Sequence, residues 1–232
     1  MSDGNALQVR RLGRRAYIDT WRAMQAYTDR RDADSPDELW LLEHPPVFTQ
    51  GLAGRPEHVL DPGDIPVIET DRGGQVTYHG PGQMVAYPLL DIQRLGVGIR
   101  DLVCRLESVI IDLLAEHRIA GERQSGAPGV FVEGAKIASI GMKVRRGCTF
   151  HGIAFNLDID LTPFERINPC GFAGQPMTRL ADLRPDADLA RIPERFAQRL
   201  ADGLGLDWVY SATHDAEQAV ESTTPAPGTS AG

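Results

Sequence analysis

Residues 71–83 read DRGGQVTYHGPGQ, and no other stretch narrows the possible folds as much. Glycines at 73, 74, 80 and 82 are interleaved with Asp71, Arg72, Thr77, Tyr78 and His79, side chains able to take part in polar chemistry. Gly73 and Gly74 accept positive φ and leave amide N–H groups uncovered where a carbonyl or carboxylate can approach. Residues 76–78 favour an extended backbone, because β-branched and aromatic side chains fit a pleated, half-buried surface. Gly80, Pro81 and Gly82 make a tight turn and QMVAYPL follows as the returning strand, so the stretch predicts a hairpin behind a glycine-rich loop. The loop is either a ligand-binding segment or plain turn chemistry, and this stretch by itself is compatible with both.

A strand that needs partners must be built from what flanks it. Residues 7–12 predict a short edge strand. From Tyr17 a helix follows, with Ile18, Trp21, Met24 and Tyr27 on its inner face, Arg22, Asp29, Arg30 and Arg31 outside, and Pro36 closing it. Residues 38–44, 47–51 and 65–70 are strands, with a helical turn over 56–60. Ile99, Leu102, Val103, Leu106, Val109, Ile110, Leu113 and Leu114 form one stripe, a scaffold helix over 98–117. His117 is its last-turn cation, and Cys104 is an inert structural thiol. Strands over 129–134, 136–144 and 148–158 come next, the last two joined as a hairpin by Arg145, Arg146 and Gly147. Strict alternation puts Lys136 on the face of Ala138, Ile140, Met142 and Val144, opposite Ile137, Ser139, Gly141 and Lys143. Residues 159–184 are irregular, a helix spans 188–203 and a strand 207–211. The pattern implies an α/β (α+β) fold, a single domain over 1–213 and a disordered tail over 214–232.

Charge and cysteine content exclude several classes. A net charge of −8 over 232 residues argues against non-specific nucleic-acid binding, which depends on Lys and Arg neutralising phosphates. Cys104, Cys148 and Cys170 show neither CxxC spacing nor even pairing, against a disulfide framework or a zinc site. No signal core and no membrane span is visible, so the expectation is a soluble protein of a reducing cytoplasm. Walker, GxGxxG and GxSxG patterns are all missing.

Candidate chemistry centres on Cys170, between Pro169 and Gly171. A free thiol has a pKa of about 8.5, so a nucleophilic role requires a cation or helix N-terminus beside it. Lys136 is a candidate partner; the alternative is a turn cysteine and a solvated strand-end charge. Between His79 and His151 spacing does not choose, and His44 shapes a strand end. Glu165 and Asp182 are loop carboxylates without an assigned role. Lys143, Arg145 and Arg146 form a basic cluster, a solvated turn or a docking point for an acidic carrier protein.

RGGQVTYHGPGQ at 72–83, GAKIASIG at 134–141, HGIAFN at 151–156 and INPCG at 167–171 together resemble the lipoate-protein ligase B family, the octanoyl-acyl-carrier-protein:protein N-octanoyltransferases. The resemblance covers residues 38–183. It implies a mixed, largely antiparallel sheet flanked by helices, like the catalytic domain of biotin and lipoyl protein ligases. It also implies a dyad carried here by Cys170 and Lys136, with no cofactor. The implied substrate-binding residues are Arg72, Gly73, Gly74, Gln75, Val76, Thr77, Tyr78 and His79, then Ser139, Ile140 and Gly141, then Gly152, Ile153 and Ala154. The implied donor is octanoyl-acyl carrier protein. The implied acceptors are the lipoyl domains of 2-oxoacid dehydrogenase E2 subunits and the H protein of glycine cleavage.

Overall fold

The computed structural model describes residues 6–169 and 174–211. Among the described residues ten strands fall into two sheets. The large one has the order β10-β1-β2-β6-β9-β8-β7, formed by β1 (Ala6–Arg14), β2 (Asp37–Glu43), β6 (Gln83–Leu89), β7 (Gly129–Val132), β8 (Ala135–Arg145), β9 (Cys148–Asn156) and β10 (Asp207–Tyr210). β1 runs parallel to both β2 and β10; every other pair in that sheet is antiparallel. The small sheet has the order β4-β3-β5, with β3 (Val47–Gln50), β4 (Val67–Glu69) and β5 (Val76–His79).

Alternation gives the large sheet two apolar faces. On one, Leu39, Leu41, Met84, Ala86, Ile153 and Phe155 pack with α2 (Ile99–Glu116) and α4 (Ile192–Leu204). Leu102, Leu106 and Leu113 of α2 meet Phe196 and Leu200 of α4 there, all at most 1% exposed. Each such side chain contributes about 1.5–3 kcal/mol by leaving water. The other face carries Trp40, Leu42, Val85, Tyr87, Phe150 and Ala154 under Met24 and Tyr27 of α1 (Tyr17–Arg30). A third cluster of Phe48, Val76, Tyr78, Ile159, Phe164 and Ile167 fills the small sheet. The segment after β9 holds a 3-10 turn (Thr162–Arg166) and the short α3 (Leu180–Leu183). Among the described residues, no helix is long and apolar enough to cross a membrane.

Several expectations change. β1 is an interior strand, because β10 pairs along its other side. α1 stops at Arg30, well before Pro36. Arg31 turns extended and is buried, its guanidinium donating to Leu89 O and Asp37 Oδ1, both at 2.6 Å; Ile18 is exposed instead. A buried ion pair thus outweighs the apolar pattern that placed Arg31 outside. Cys104 lies exposed on α2. β5 and β6 form no hairpin: β5 pairs with β3, whereas β6 pairs with β2 and β9, so Gly80, Pro81 and Gly82 turn the chain from one sheet into the other. A Cβ on Gly82 (φ 83°) would come 2.5 Å from Asp158 O. That contact shows why a glycine stands at the corner. The predicted tail, residues 214–232, lies outside the described residues.

Candidate active site

A narrow cavity of about 40 Å³ lies between the α1 face of the large sheet and residues 72–79. Arg72, Gly74, Gln75, Val76, Thr77 and His79 line it on one side. Ser139, Ile140 and Gly141 of β8 and Gly152, Ile153 and Ala154 of β9 line the other. Of the residues expected around a substrate, Gly73 and Tyr78 are outside this lining. Gly73 N–H donates to Met142 O at 3.1 Å, tying the loop to β8. A Cβ on Gly141 would approach Gly73 O to 2.7 Å, so that tie requires glycine at 141. Tyr78 faces away, its ring 5.5 Å from Phe48 and 5.4 Å from Phe164. It belongs to the third apolar cluster because period-2 alternation turns it opposite to Thr77 and His79.

Lys136 reaches this face through a β-bulge. β7 and β8 pair Gly129 with Ser139, Val130 with Ala138 and Phe131 with Lys136, so two steps on β8 answer one on β7 and Ile137 has no partner. Directly paired antiparallel residues point to the same side. Ile137 and Ala138 therefore both enter the core under α2, while Lys136 turns with Phe131 to the opposite face. This corrects the strict alternation that grouped Lys136 with Ala138 and Ile140. Lys136 is 1% exposed, with Nζ 5.2 Å from the Phe131 ring centroid, a cation–π distance. Gly129 (φ 138°) makes room for it: a Cβ there would lie 2.7 Å from Lys136 Cε and 2.2 Å from Ala138 O. The Lys136 backbone is held by its N–H donating to Pro176 O (2.8 Å) and its carbonyl accepting from Thr178 N–H (3.0 Å). Pro176 and Thr178 follow shortly after Cys170, which itself lies outside the described residues.

His151 is also turned against the alternation. Its neighbours Ile153 and Phe155 sit under α2, but His151 takes φ 59° and its ring faces Trp21, Tyr87 and Phe150. A positive φ is uncommon outside glycine, with His among the residues that tolerate it. Nε2–H donates to Asp71 Oδ1 at 2.8 Å, and that carboxylate also accepts from Trp21 Nε1–H at 2.8 Å and Gln25 Nε2–H at 3.4 Å. Burial pushes the Asp71 carboxyl up, but the hydrogen bonds from His151, Trp21 and Gln25 and the attraction of His151 outweigh it and hold it at about 2. Burial pulls the His151 imidazole below its ordinary value despite Asp71. The neutral-pH pair is thus carboxylate and neutral imidazole, protonated on Nε2.

A second polar network fixes His79. Gln83 Nε2–H donates to Asn156 Oδ1 (2.9 Å) and Tyr78 O (3.2 Å), leaving Oε1 to accept from His79 Nδ1–H at 2.8 Å. His79 Nε2 then accepts from the Thr49 hydroxyl at 3.2 Å, and Thr49 Oγ1 accepts from Arg72 Nε–H (3.1 Å) and Nη2–H (2.9 Å). At its other end Asn156 Nδ2–H donates to Thr178 O at 3.0 Å. The bonds run unbroken from the guanidinium of Arg72 to the segment that pairs with Lys136. Arg72 also donates to Thr49 O, Gly73 O and Gln75 O, clamping the glycine loop. Burial, then the charges of His44 and Arg72, hold His79 far below the ordinary histidine range despite the bond to Gln83.

Sequence reasoning missed Tyr17, His44, Gln83, Tyr87 and Asn156 as parts of this site. His44 is fully buried, Nδ1–H donating to Arg15 O (2.7 Å) and Nε2 accepting from Tyr87 O–H (2.8 Å), and burial lowers its pKa to about 4. Its ring meets both Tyr17 and His79. The usable signals were Gln83 closing the GPGQ run and Asn156 closing HGIAFN, both next to residues already singled out. In the basic cluster, Arg145 pairs with Asp29 at 2.9 Å and Arg146 donates to Asp29 O at 2.9 Å, so both arginines tie the β8–β9 turn to α1. Among the described residues, no group of three or more His, Cys, Asp or Glu is placed to hold a metal ion.

Comparison with known proteins completes the picture. Residues 16–201 match the family described as lipoyl protein ligase A/B catalytic domain. An octanoyltransferase of Alkalilimnicola ehrlichii is 61% identical over 191 residues, covering 79% of this chain and 89% of the relative. One from Saccharophagus degradans is 55% identical over 210 residues, covering 89% and 97%. A lipoate-protein ligase A bound with ATP superposes with a TM-score of 0.74 at 12% identity, over 94% of this chain and 92% of that one. A biotin protein ligase from Aquifex aeolicus superposes with a TM-score of 0.53 at 12% identity, over 86% and 70%. These two share the fold. The chain belongs to the lipoyl protein ligase A/B catalytic-domain family, in its lipoate-protein ligase B (octanoyltransferase) branch, and is an acyltransferase.

Proposed function

We propose that this enzyme moves an octanoyl group from octanoyl-acyl carrier protein to a lysine of lipoyl domains, through a thioester on Cys170. The observation that carries the reading is the buried Lys136, turned by a bulge onto the cavity face and bonded through its backbone to residues 176 and 178. In this account the Cys170 thiolate attacks the carbonyl carbon of the donor thioester and expels the carrier's thiolate, which takes its proton from the Lys136 ammonium and leaves that amine neutral. The acceptor amine then attacks the acyl-enzyme; the carbon–sulfur bond breaks, an amide forms and Cys170 regains its thiolate. Lys136 keeps Cys170 ionised in the first half and takes the amine's proton in the second. Thioester to amide runs downhill, so neither ATP nor a cofactor enters. The acyl chain occupies the cavity between Arg72–Gln75, Ser139–Gly141 and Gly152–Ala154, and residues 1–213 work as one catalytic domain in the cytoplasm. Acceptors are lipoyl domains of 2-oxoacid dehydrogenase E2 subunits and the H protein of glycine cleavage; membranes and nucleic acid take no part. Mass spectrometry after incubation with octanoyl carrier protein alone tests the reading. An octanoyl adduct on the peptide containing Cys170 is expected, and transfer that proceeds with no adduct in a Cys170→Ser variant would refute it.

A further inference from the structure

The cavity meets two buried side chains, each with a hydrogen-bonding atom to spare. Among the described residues His151 Nδ1 has no hydrogen-bond partner, and the Tyr17 hydroxyl, with Thr70 and Arg72 beside it, has none in good geometry; both residues line the cavity, Tyr17 only 4% and His151 only 1% exposed. Both are held in place by their other contacts. The Tyr17 ring stacks on His79 at 5.9 Å and meets His44 edge-on at 5.0 Å. His151 is fixed by Asp71 and by its left-handed backbone. Nearby lining from Val76, Val85, Ile140, Ile153 and Ala154 is apolar. Saturated carbon pressed against such atoms leaves them dry and unpaired, which is unfavourable, whereas water against them satisfies both.

Their position along the sheet gives this a length. Lys136 Cε packs against Gly129, the partner of Ser139, so Ser139 marks the reacting end of the cavity. His151 pairs with Met142, three residues farther along β8, or roughly 10 Å at about 3.4 Å per residue. An extended eight-carbon acyl chain is about 9 Å long, given C–C bonds of about 1.5 Å, and two more carbons add roughly 2.5 Å. We propose that Tyr17 and His151, with Asp71 behind the imidazole, form a polar end wall that stops the acyl chain at about eight carbons. The proposal rests on the reading of this cavity as the octanoyl site.

Competition between octanoyl and decanoyl carrier protein in one reaction tests it, because the product ratio does not depend on how much of the enzyme is folded. Tyr17→Phe removes one oxygen and keeps the ring; His151→Asn shortens the wall with a residue that accepts the left-handed backbone. Each is expected to raise the decanoyl share relative to octanoyl about tenfold, the scale of a one-methylene change in a pocket. Ratios unchanged from the parent in both variants overturn the end wall. A parent protein that transfers no octanoyl group at all overturns the underlying reading instead, so the two failures are distinct.

Discussion

The two faces of the large sheet are made from the same strands and follow different rules. Under α2 and α4 the packed side chains are aliphatic or aromatic, and even at the bulge the two adjacent residues that enter, Ile137 and Ala138, are apolar. Facing α1 and the glycine loop, the pattern is interrupted twice, by the bulge that turns out Lys136 and by the positive φ of His151. Both departures turn onto this face a polar residue that regular pleating would have buried in hydrocarbon, and His151 lines the cavity itself. One face supplies stability, and the other holds the groups that the proposed mechanism uses.

Substitutions should separate the two. Lys136→Ala is expected to lower transfer by about 10²–10⁴-fold, the range of a lost acid–base group, while the melting temperature moves little. A variant with near-parental turnover would remove Lys136 from the chemistry. On the opposite face, Leu106→Ala should cost about 2–5 kcal/mol in denaturant unfolding and leave kcat/KM of the folded fraction near the parental value. Gly129→Ala sits between the two: its Cβ meets Ala138 O and Lys136 Cε, so a loss of about 1–3 kcal/mol together with reduced transfer is expected. Full activity in that variant would mean that the bulge can relax without moving Lys136.

The smallest effects are electrostatic. His44, His79 and His151 are all held below the ordinary histidine range, chiefly by burial. The unfolded chain therefore binds more protons between the unfolded value of about 6.5 and the lower folded values, and stability falls as pH drops through that window. His44→Gln should flatten the part of the slope between about 6.5 and about 4. Asp71 is displaced the same way for a carboxylate, to about 2. Its stabilisation is present above about 4 and lost as pH falls toward about 2, so the gap between parent and Asp71→Asn should close over that range.

How far the sequence could be read follows the same division. The α2 stripe, the strands from 129 onward and the Arg146–Gly147 turn were legible because regular periodicity encodes them, and the glycine-rich motifs marked the cavity lining. The face occupied by Lys136 was misjudged, since a bulge is a property of pairing and leaves no trace in a period-2 count. The false hairpin at 80–82 has a similar cause: turn chemistry specifies a reversal of the chain and says nothing of which sheet receives each strand. Tyr17 and His44 escaped because their role arises from three elements converging on His79.

The central claim is that Lys136 governs the ionisation of Cys170. It is tested most directly by the rate of Cys170 alkylation against pH, read peptide by peptide so that the exposed Cys104 and buried Cys148 are scored apart. The account predicts a midpoint below that of a free thiol, about 8.5, moving upward in Lys136→Ala; the same midpoint in both proteins would contradict it.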